Sequence, residues 1–271
     1  EESACILREY YESVQDTADV VRMLEIEAEH SVDDRERSER LQRIVQMRLE
    51  ELDDARGAFE NTVHLVRLEP QRLEMRSMLD QLAKRTEQRV RQAELLSQLA
   101  DLHQAQPWAI DLRLESAQVW QNHVGDADRA IALYSAVLEG RKQAPVAALM
   151  AAQQLEGLLL TVRRSAERAD VLVKLAELET EPSARRQALG MAARVVLDEL
   201  GDARRAVSLW QERLTMDPSD GAARDGLIVA LERADAHLEL IAELEERAKR
   251  SSDPRAARSA QLPGVAGGGS V

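Results

Sequence analysis

The fold is decided by the stretch Val124-Gly125-Asp126-Ala127-Asp128-Arg129-Ala130-Ile131, which has two counterparts elsewhere in the chain. One counterpart is Leu200-Gly201-Asp202-Ala203-Arg204-Arg205-Ala206-Val207. The other is Leu52-Asp53-Asp54-Ala55-Arg56-Gly57-Ala58-Phe59, in which aspartate replaces the glycine. The shared aspartate recurs at intervals of 72 and 76 residues. A fixed internal period is typical of repeat proteins, in which stacked units bury one continuous core.

Each copy has the residues expected between two antiparallel helices. A glycine, Gly125 or Gly201, can adopt the left-handed conformation that ends a helix, and Asp53 is among the few side-chain-bearing residues that tolerate it. The aspartate that follows can accept hydrogen bonds from the free N–H groups of the next helix. Small and apolar residues such as Ala130 and Tyr134 then recur at helical spacing. Each copy therefore predicts a sharp helix–turn–helix junction.

Prolines divide the rest of the chain into further helices. Pro107, Pro182 and Pro254 recur at intervals of 75 and 72 residues, and proline fits the first turn of a helix. They mark the start of the helix before each junction, and Asp33 has the equivalent place ahead of the first copy. Each long period then holds four helices, with about 12 in the stack. Helical patterns are placed at 3–14, 16–29, 33–51, 54–68, 71–84, 87–104, 107–123, 126–140, 145–161, 165–179, 182–199, 202–215, 220–233 and 236–250.

Composition supports a helical interaction protein and argues against several other classes. The net charge of -13 makes a nucleic-acid backbone or an anionic membrane surface an unfavourable partner. Aromatic residues make up 3% of the chain and apolar residues 44%, a palette of leucine, alanine and valine that is typical of packed helices. No apolar run approaches the roughly 20 residues that a membrane span needs. We therefore expect neither nucleic-acid binding nor membrane insertion.

These features predict an all-α fold, an α-solenoid of antiparallel helical hairpins arranged in four-helix double repeats of 72–76 residues. Short connections require neighbouring helices to pack as antiparallel pairs. We expect residues 1–255 to form the solenoid. Residues 256–271 are expected to be an irregular tail or linker, because this segment is rich in glycine and shows no periodicity.

The junctions resemble those of the tetratricopeptide (TPR) family, which has helical hairpins of about 34 residues. Gly125 and Ala130 show the family's spacing of five residues, and Ala206 and Pro218 show its spacing of twelve. Trp210 matches the aromatic residue that follows the alanine by four. The hairpins at 71–104, 145–179 and 220–250 depart from the pattern. The resemblance implies a right-handed superhelix with a concave groove, lined by the first helix of each hairpin, that holds a peptide or a partner helix.

No arrangement of catalytic or metal-binding residues is found in the sequence. The five histidines are dispersed over different hairpins without the spacing of a zinc site. Paired carboxylates such as Glu50 and Glu51 share one solvated environment, whereas acid–base catalysis needs two different ones. We therefore predict no enzymatic activity, no metal and no cofactor. Large aromatic residues could anchor a partner, but the repeat-consistent positions of Trp108, Trp120 and Trp210 favour packing in the core.

We expect a non-catalytic scaffold or adaptor that binds a partner protein or peptide along the helical-repeat surface. Helices 33–51, 107–123 and 182–199 are the expected groove wall, and the candidate contact residues on them are Arg113, Gln118 and Arg194. Two alternatives stay open. One is a regulatory arm of a larger multidomain enzyme, and the other is a self-stacking component of a bacterial envelope or motility assembly.

Source and compartment are expected from two further features. Arginine outnumbers lysine 32 to 4, which indicates a bacterial genome of high GC content. A single cysteine, Cys5, excludes an intrachain disulfide and fits a reducing compartment. We expect a cytoplasmic protein, or a periplasmic one if a signal peptide lies outside this segment. A homo-oligomer stays open.

Overall fold

The structure, a computed structural model, describes residues 2–252, and every regular element within them is helical. Fourteen α-helices are present where about 12 were expected, and the all-α, TPR-like fold class is confirmed. The helices are α1 Glu2–Ser13, α2 Thr17–His30, α3 Asp34–Glu50, α4 Ala55–Leu68, α5 Leu73–Arg85, α6 Arg89–Leu102, α7 Ala109–Val119, α8 Ala127–Glu139, α9 Pro145–Thr161, α10 Ser165–Leu178, α11 Pro182–Arg194, α12 Ala203–Met216, α13 Gly221–Arg233 and α14 His237–Ser252. π-Helical segments extend α7 over Trp120–Val124 and α11 over Val195–Glu199.

Every predicted helical segment corresponds to one observed helix, and the ends agree within two residues when the π-helical extensions of α7 and α11 are included. Pro182 begins α11, and the Asp33 side chain caps α3 by accepting a hydrogen bond from Arg35 N. Pro107 lies two residues before α7, so it precedes that helix instead of beginning it. Pro254 lies outside the described residues. The π-helical segments were not predicted, because their i→i+5 bonding leaves no mark on residue spacing.

Seven junctions join a first helix to a second helix in the described part of the chain, and each contains one residue with positive φ. The sequence predicted three of them, at Asp53, Gly125 and Gly201, whose φ values are 49°, 81° and 69°. The other four carry side chains and were not predicted: Gln15, Glu87, Arg163 and Asp235. All seven junctions therefore contain a left-handed residue, and only some of them show it in their sequence.

The junctions alternate between two hydrogen-bond closures, which gives the four-helix period a structural basis. At the three predicted junctions, the N–H of the residue after the positive-φ position donates to a carbonyl six residues earlier, as from Asp126 to Trp120. At the other four, the same N–H donates to a carbonyl five residues earlier, as from Gln88 to Ala83. Two hairpins are thus needed before the same closure recurs, and the double repeat is a property of the backbone.

The aspartates after the predicted junctions act as N-caps. The carboxylates of Asp54, Asp126 and Asp202 accept hydrogen bonds from the backbone N–H three residues later, at 2.8, 3.0 and 3.0 Å. These bonds satisfy N–H groups that would lack a partner in the first turn of the helix. The predicted capping role is therefore confirmed at all three positions.

Helices pack mainly against their sequence neighbours, and the chain divides into two compact units, residues 1–151 and 152–271. The core of the first unit includes the fully buried residues Ile44, Phe59 and Leu79. The core of the second includes Leu172 and Leu189. A single solenoid over residues 1–255 stays a prediction, and the predicted tail at 256–271 lies outside the described residues.

Two of the three tryptophans are core residues, as predicted. Trp120 and Trp210 are 4% and 3% exposed, whereas Trp108 is half-buried. Trp210 of α12 packs against two helices at positions that have no side chain, Gly190 of α11 and Gly226 of α13. The indole of Trp210 takes up the space that a Cβ atom would occupy at Gly226, whereas at Gly190 that space is taken by the guanidinium of Arg213.

Candidate protein-interaction surfaces

A surface groove lies between α5 and α7, the first helices of the third and fourth hairpins. Its cavity has a volume of about 300 Å³. We call it the α5–α7 groove, and its lining residues are Leu73, Arg76, Ser77, Asp80, Gln92, Glu115, Gln118, Val119, Asn122 and His123. Of the three helices predicted as the groove wall, α7 lines this cavity and α3 and α11 do not, so the predicted wall stays a prediction.

One side of the α5–α7 groove carries polar groups that are free to bind. Gln118 and Asn122 are exposed and four residues apart, so their carboxamides lie on the same face of the helix. Within the described residues, neither carboxamide nor the Ser77 hydroxyl makes a hydrogen bond. Leu73 is 63% exposed at the same cavity. The groove thus offers hydrogen-bonding groups beside an apolar contact.

The floor of the groove is a buried ion pair. Arg76 is 7% exposed, its Nε lies 3.1 Å from Glu115 Oε1, and its Nη1 donates to Pro70 O at 2.8 Å. Burial raises the pKa of Glu115; the charge of Arg76 opposes that shift, and the nearby Asp111 and Asp80 add to it. The charge of Arg76 therefore offsets only part of the effect of burial on Glu115, and the pair joins α5 and α7 at the base of the groove.

A second polar cluster fixes the start of α6 against α5. Asp80 accepts hydrogen bonds from Gln92 Nε2 at 3.1 Å and from Arg89. Burial works against ionisation here, but the bonds from Gln92 and Arg89 outweigh it and lower the pKa of Asp80. The carboxylate is therefore engaged within the chain. The polar groups of the groove without a partner in the described residues are the carboxamides of Gln118 and Asn122, the Ser77 hydroxyl and the His123 ring.

The three predicted contact residues have different surroundings. Gln118 lies in the α5–α7 groove. Arg113 lies five residues earlier on α7, is half-buried, and donates to Asp101 Oδ1 of α6 at 2.8 Å. Arg194 is exposed on α11 in the second unit. The structure therefore brings no two of these residues together in one site.

Arg194 lines a separate cavity of about 580 Å³ formed by α11, α12 and the loop that follows α12. Most other charges there are engaged within the chain. Arg186 pairs with Asp217, and Arg213 Nη2 lies 2.7 Å from Asp220 Oδ2. Arg194 has no hydrogen bond or ion pair to a described residue, so its guanidinium is a cation that a partner can reach.

Residues 2–252 hold no cluster of three or more histidine, cysteine, aspartate or glutamate side chains suited to a metal ion. Across that same stretch, none of the helices combines the length and the apolar character that crossing a membrane requires.

Sequence reasoning missed Leu73, Ser77 and Asn122 as groove residues. Asn122 could have been found, because it follows Gln118 by four residues and therefore shares its helical face. Leu73 and Ser77 belong to α5, in a hairpin that departs from the TPR pattern, so the resemblance gave no position to test. Their place in the groove follows only from how α5 packs beside α7.

The chain matches no protein-family model and no curated protein. Solved structures similar to it include a tetratricopeptide repeat protein from Parabacteroides merdae, 13% identical, with 77% of this chain and 78% of that chain covered at a TM-score of 0.38. BtubC from P. vanneervenii is 15% identical, with coverages of 85% and 97% and a TM-score of 0.36. A MamA protein is 11% identical, with coverages of 84% and 97% and a TM-score of 0.37. The hairpins, left-handed junctions and internal period of the chain itself show a TPR-like helical-repeat fold, and the resemblance stated from the sequence is confirmed.

Proposed function

We propose that the chain is a non-catalytic protein-interaction scaffold that binds a peptide segment of a partner protein in the α5–α7 groove. One observation carries the proposal: the exposed carboxamides of Gln118 and Asn122 make no hydrogen bond within the described residues. A carboxamide both donates and accepts, and so does a peptide group. Two carboxamides one helical turn apart therefore suit a peptide backbone that runs along the groove.

The character of the bound segment follows from the rest of the groove. Leu73, 63% exposed, offers an apolar contact for one side chain of the peptide. Arg76 is paired with Glu115 and Asp80 with Arg89, so His123 is the one ionisable lining residue without an ion pair to a described residue, and the groove does not require a strongly charged ligand. A neutral segment with an apolar side chain is the best match.

The other two predicted contact residues, Arg194 and Arg113, differ in how readily a partner could bind them. Arg194 is free and offers a second, cationic contact in the unit formed by residues 152–271. The guanidinium of Arg113 is held by Asp101, so it contributes to partner binding only after that exposed ion pair exchanges. Exposed pairs of this kind are worth about 1 kcal/mol or less, which makes such an exchange inexpensive.

Site-specific photocrosslinking in the source cell tests this function. A photoreactive residue replaces Gln118 in one variant and Gln104, an exposed glutamine outside the groove, in a matched control. We expect discrete crosslinked species from position 118 and none of them from position 104. Identical products from both positions, or substrate turnover by the purified chain in the absence of any partner, would contradict a scaffold that acts through this groove.

A further inference from the structure

The outer face of α1 exposes large apolar side chains. Ile6, Leu7 and Tyr10 are 69%, 44% and 59% exposed, and their spacing places them on one side of the helix. Isolated exposed apolar residues are common on protein surfaces, but a contiguous group on one face indicates a binding surface. We call these three residues the α1 face.

Equivalent positions are buried in α5. Counted back from the left-handed residue of each junction, Leu7 lies eight residues before Gln15, and Leu79 lies eight before Glu87. Leu79 is 0% exposed. Tyr10 corresponds in the same way to Leu82, which is 4% exposed. The α1 face is therefore built from positions that α5 uses for packing.

The same correspondence holds in α13, in the other unit. There Leu227 and Ala230 are the counterparts of Leu7 and Tyr10, and they are 4% and 0% exposed. The counterpart of Ile6 is Gly226, which contacts the indole of Trp210 on the preceding helix α12. In both internal examples the preceding helix packs along the first helix of the hairpin: α4 packs along α5, and α12 packs along α13.

We infer that the α1 face docks an amphipathic helix of a partner protein, in the way that α4 covers α5. The interface would continue one that the chain already forms within itself twice. It needs apolar side chains on the incoming helix and a small residue opposite Ile6. This inference is independent of the α5–α7 groove.

The small residue follows from a size match between helices. Trp210, eight residues after the N-cap Asp202, fills the space above Gly226. The counterpart of Trp210 in α4 is Thr62, eight residues after the N-cap Asp54. The counterpart of Gly226 in α5 is Met78, nine residues before the left-handed Glu87. A large residue on one helix is thus paired with a small one on the other. Because α1 has Ile6 at that position, its partner helix must resemble α4 and not α12.

Two peptides copied from the chain test this inference. One is residues 53–69, which contains α4, and the other is residues 201–217, which contains α12. Each carries a fluorophore and a lactam bridge between its outward positions, 60 with 64 or 208 with 212, because an isolated helix of this length is marginal in water. Fluorescence anisotropy measures the binding of each peptide to the full 271-residue chain.

We expect the peptide 53–69 to bind at least about tenfold more tightly than the peptide 201–217, since a Trp–Ile clash removes buried contact area. Leu7→Ala should weaken binding of the first peptide about tenfold, whereas Leu102→Ala, at a leucine 74% exposed on α6, should leave it unchanged. Ile6→Gly should restore binding of the second peptide. Far-UV circular dichroism confirms that each variant is folded.

Three results would overturn the inference. They are the absence of binding by the peptide 53–69, equal losses in Leu7→Ala and Leu102→Ala, and equal binding of the two peptides. Sedimentation analysis can give a fourth contrary result. If two copies of the chain associate and Leu7→Ala abolishes that association, the occupant of the α1 face is a second copy. Gln118→Ala should not affect peptide binding here, so failure of this inference is distinguishable from failure of the groove proposal.

Discussion

Replacing Gly226 by alanine should destabilise the chain, although alanine is the better helix former. A Cβ atom at this position would lie 2.6 Å from Cζ2 and 2.9 Å from Cδ2 of the Trp210 indole, and closer still to Cε2. Carbon atoms in contact are normally about 3.5–4.0 Å apart, so the ring would have to move by about 1 Å. Its movement is also limited by α11, where a Cβ atom at Gly190 would lie 3.4 Å from Cζ3 of the indole.

The expected magnitude is a balance of two effects. Overpacking a well-filled core typically costs about 1–3 kcal/mol, and alanine regains about 1 kcal/mol of helix propensity over glycine. We therefore expect Gly226→Ala to lower the free energy of unfolding by about 0–2 kcal/mol. Gly157→Ala is the matched control, because Gly157 is exposed within α9 and a Cβ there meets nothing within 4 Å. That variant should be more stable than wild type by about 1 kcal/mol.

Urea unfolding of both variants measures the difference. In a Trp108→Phe, Trp120→Phe background the fluorescence reports only Trp210, so the transition observed is that of the unit containing α13. We expect the two alanine variants to differ by about 1–3 kcal/mol, because the gain in helix propensity is common to both and the difference is the overpacking cost. Equal changes of stability in the two variants would refute the packing argument. A Trp210→Leu substitution provides the second check, because it should remove most of the penalty of Gly226→Ala.

Three further predictions concern the junctions. Asp53→Gly should raise stability by about 0.5–1 kcal/mol, because glycine relieves a left-handed φ of 49°, and an unchanged urea midpoint would show that Asp53 is unstrained. Asp126→Ala should lower stability by about 1 kcal/mol through loss of the cap to Arg129 N, whereas Asp126→Ser should retain most of it in the same unfolding assay. Asp54→Asn should reduce the loss of stability on acidification. The hydrogen bonds from Gly57 N and Arg48 lower the folded-state pKa of Asp54 below its unfolded value of 3.8. The stability that the Asp54 carboxylate contributes is therefore present above about pH 4 and is lost as the pH falls through the folded-state pKa. Equal losses of stability in wild type and Asp54→Asn between pH 5 and pH 3 would contradict this assignment.

The junctions show how far the fold could be predicted from sequence. The five side-chain-bearing residues at positive φ have values between 49° and 61°, close to the ideal left-handed value of about 57°. The two glycines lie further out, at 81° and 69°. Glycine therefore marks the two junctions with the largest φ values, and only Gly125 exceeds the left-handed range of about 50–70° that side chains tolerate. Gln15, Glu87 and Arg163 are held in a conformation that their own preferences disfavour, so only the packing of the flanking helices could reveal it.

The candidate site shows the same limit at the level of one helix. Arg113 and Gln118 were both predicted as contacts because both are polar and lie on α7. Five residues correspond to a rotation of about 140° around the helix axis, so the two side chains cannot face the same groove. The sequence contained this information, but the choice between the two faces required the position of α5. With that position, Gln118 faces the α5–α7 groove and Arg113 faces α6.

The carboxamides of α7 and the charged side chains of the second helices have different surroundings, and this difference favours the groove as the binding surface. The second helices pair with one another through charges at fixed positions after the cap. Glu94 accepts from Arg129 at 3.3 Å, and the same pair recurs 76 residues later as Asp170 and Arg205 at 2.5 Å. Such exposed pairs add little stability. Their side chains are nevertheless engaged in ion pairs with residues of the neighbouring hairpin. Gln118, on a first helix, has no such partner within the described residues. A ligand that binds there gains hydrogen bonds without first breaking any within the chain, which is why we place the peptide on α7 and not on the charged second helices.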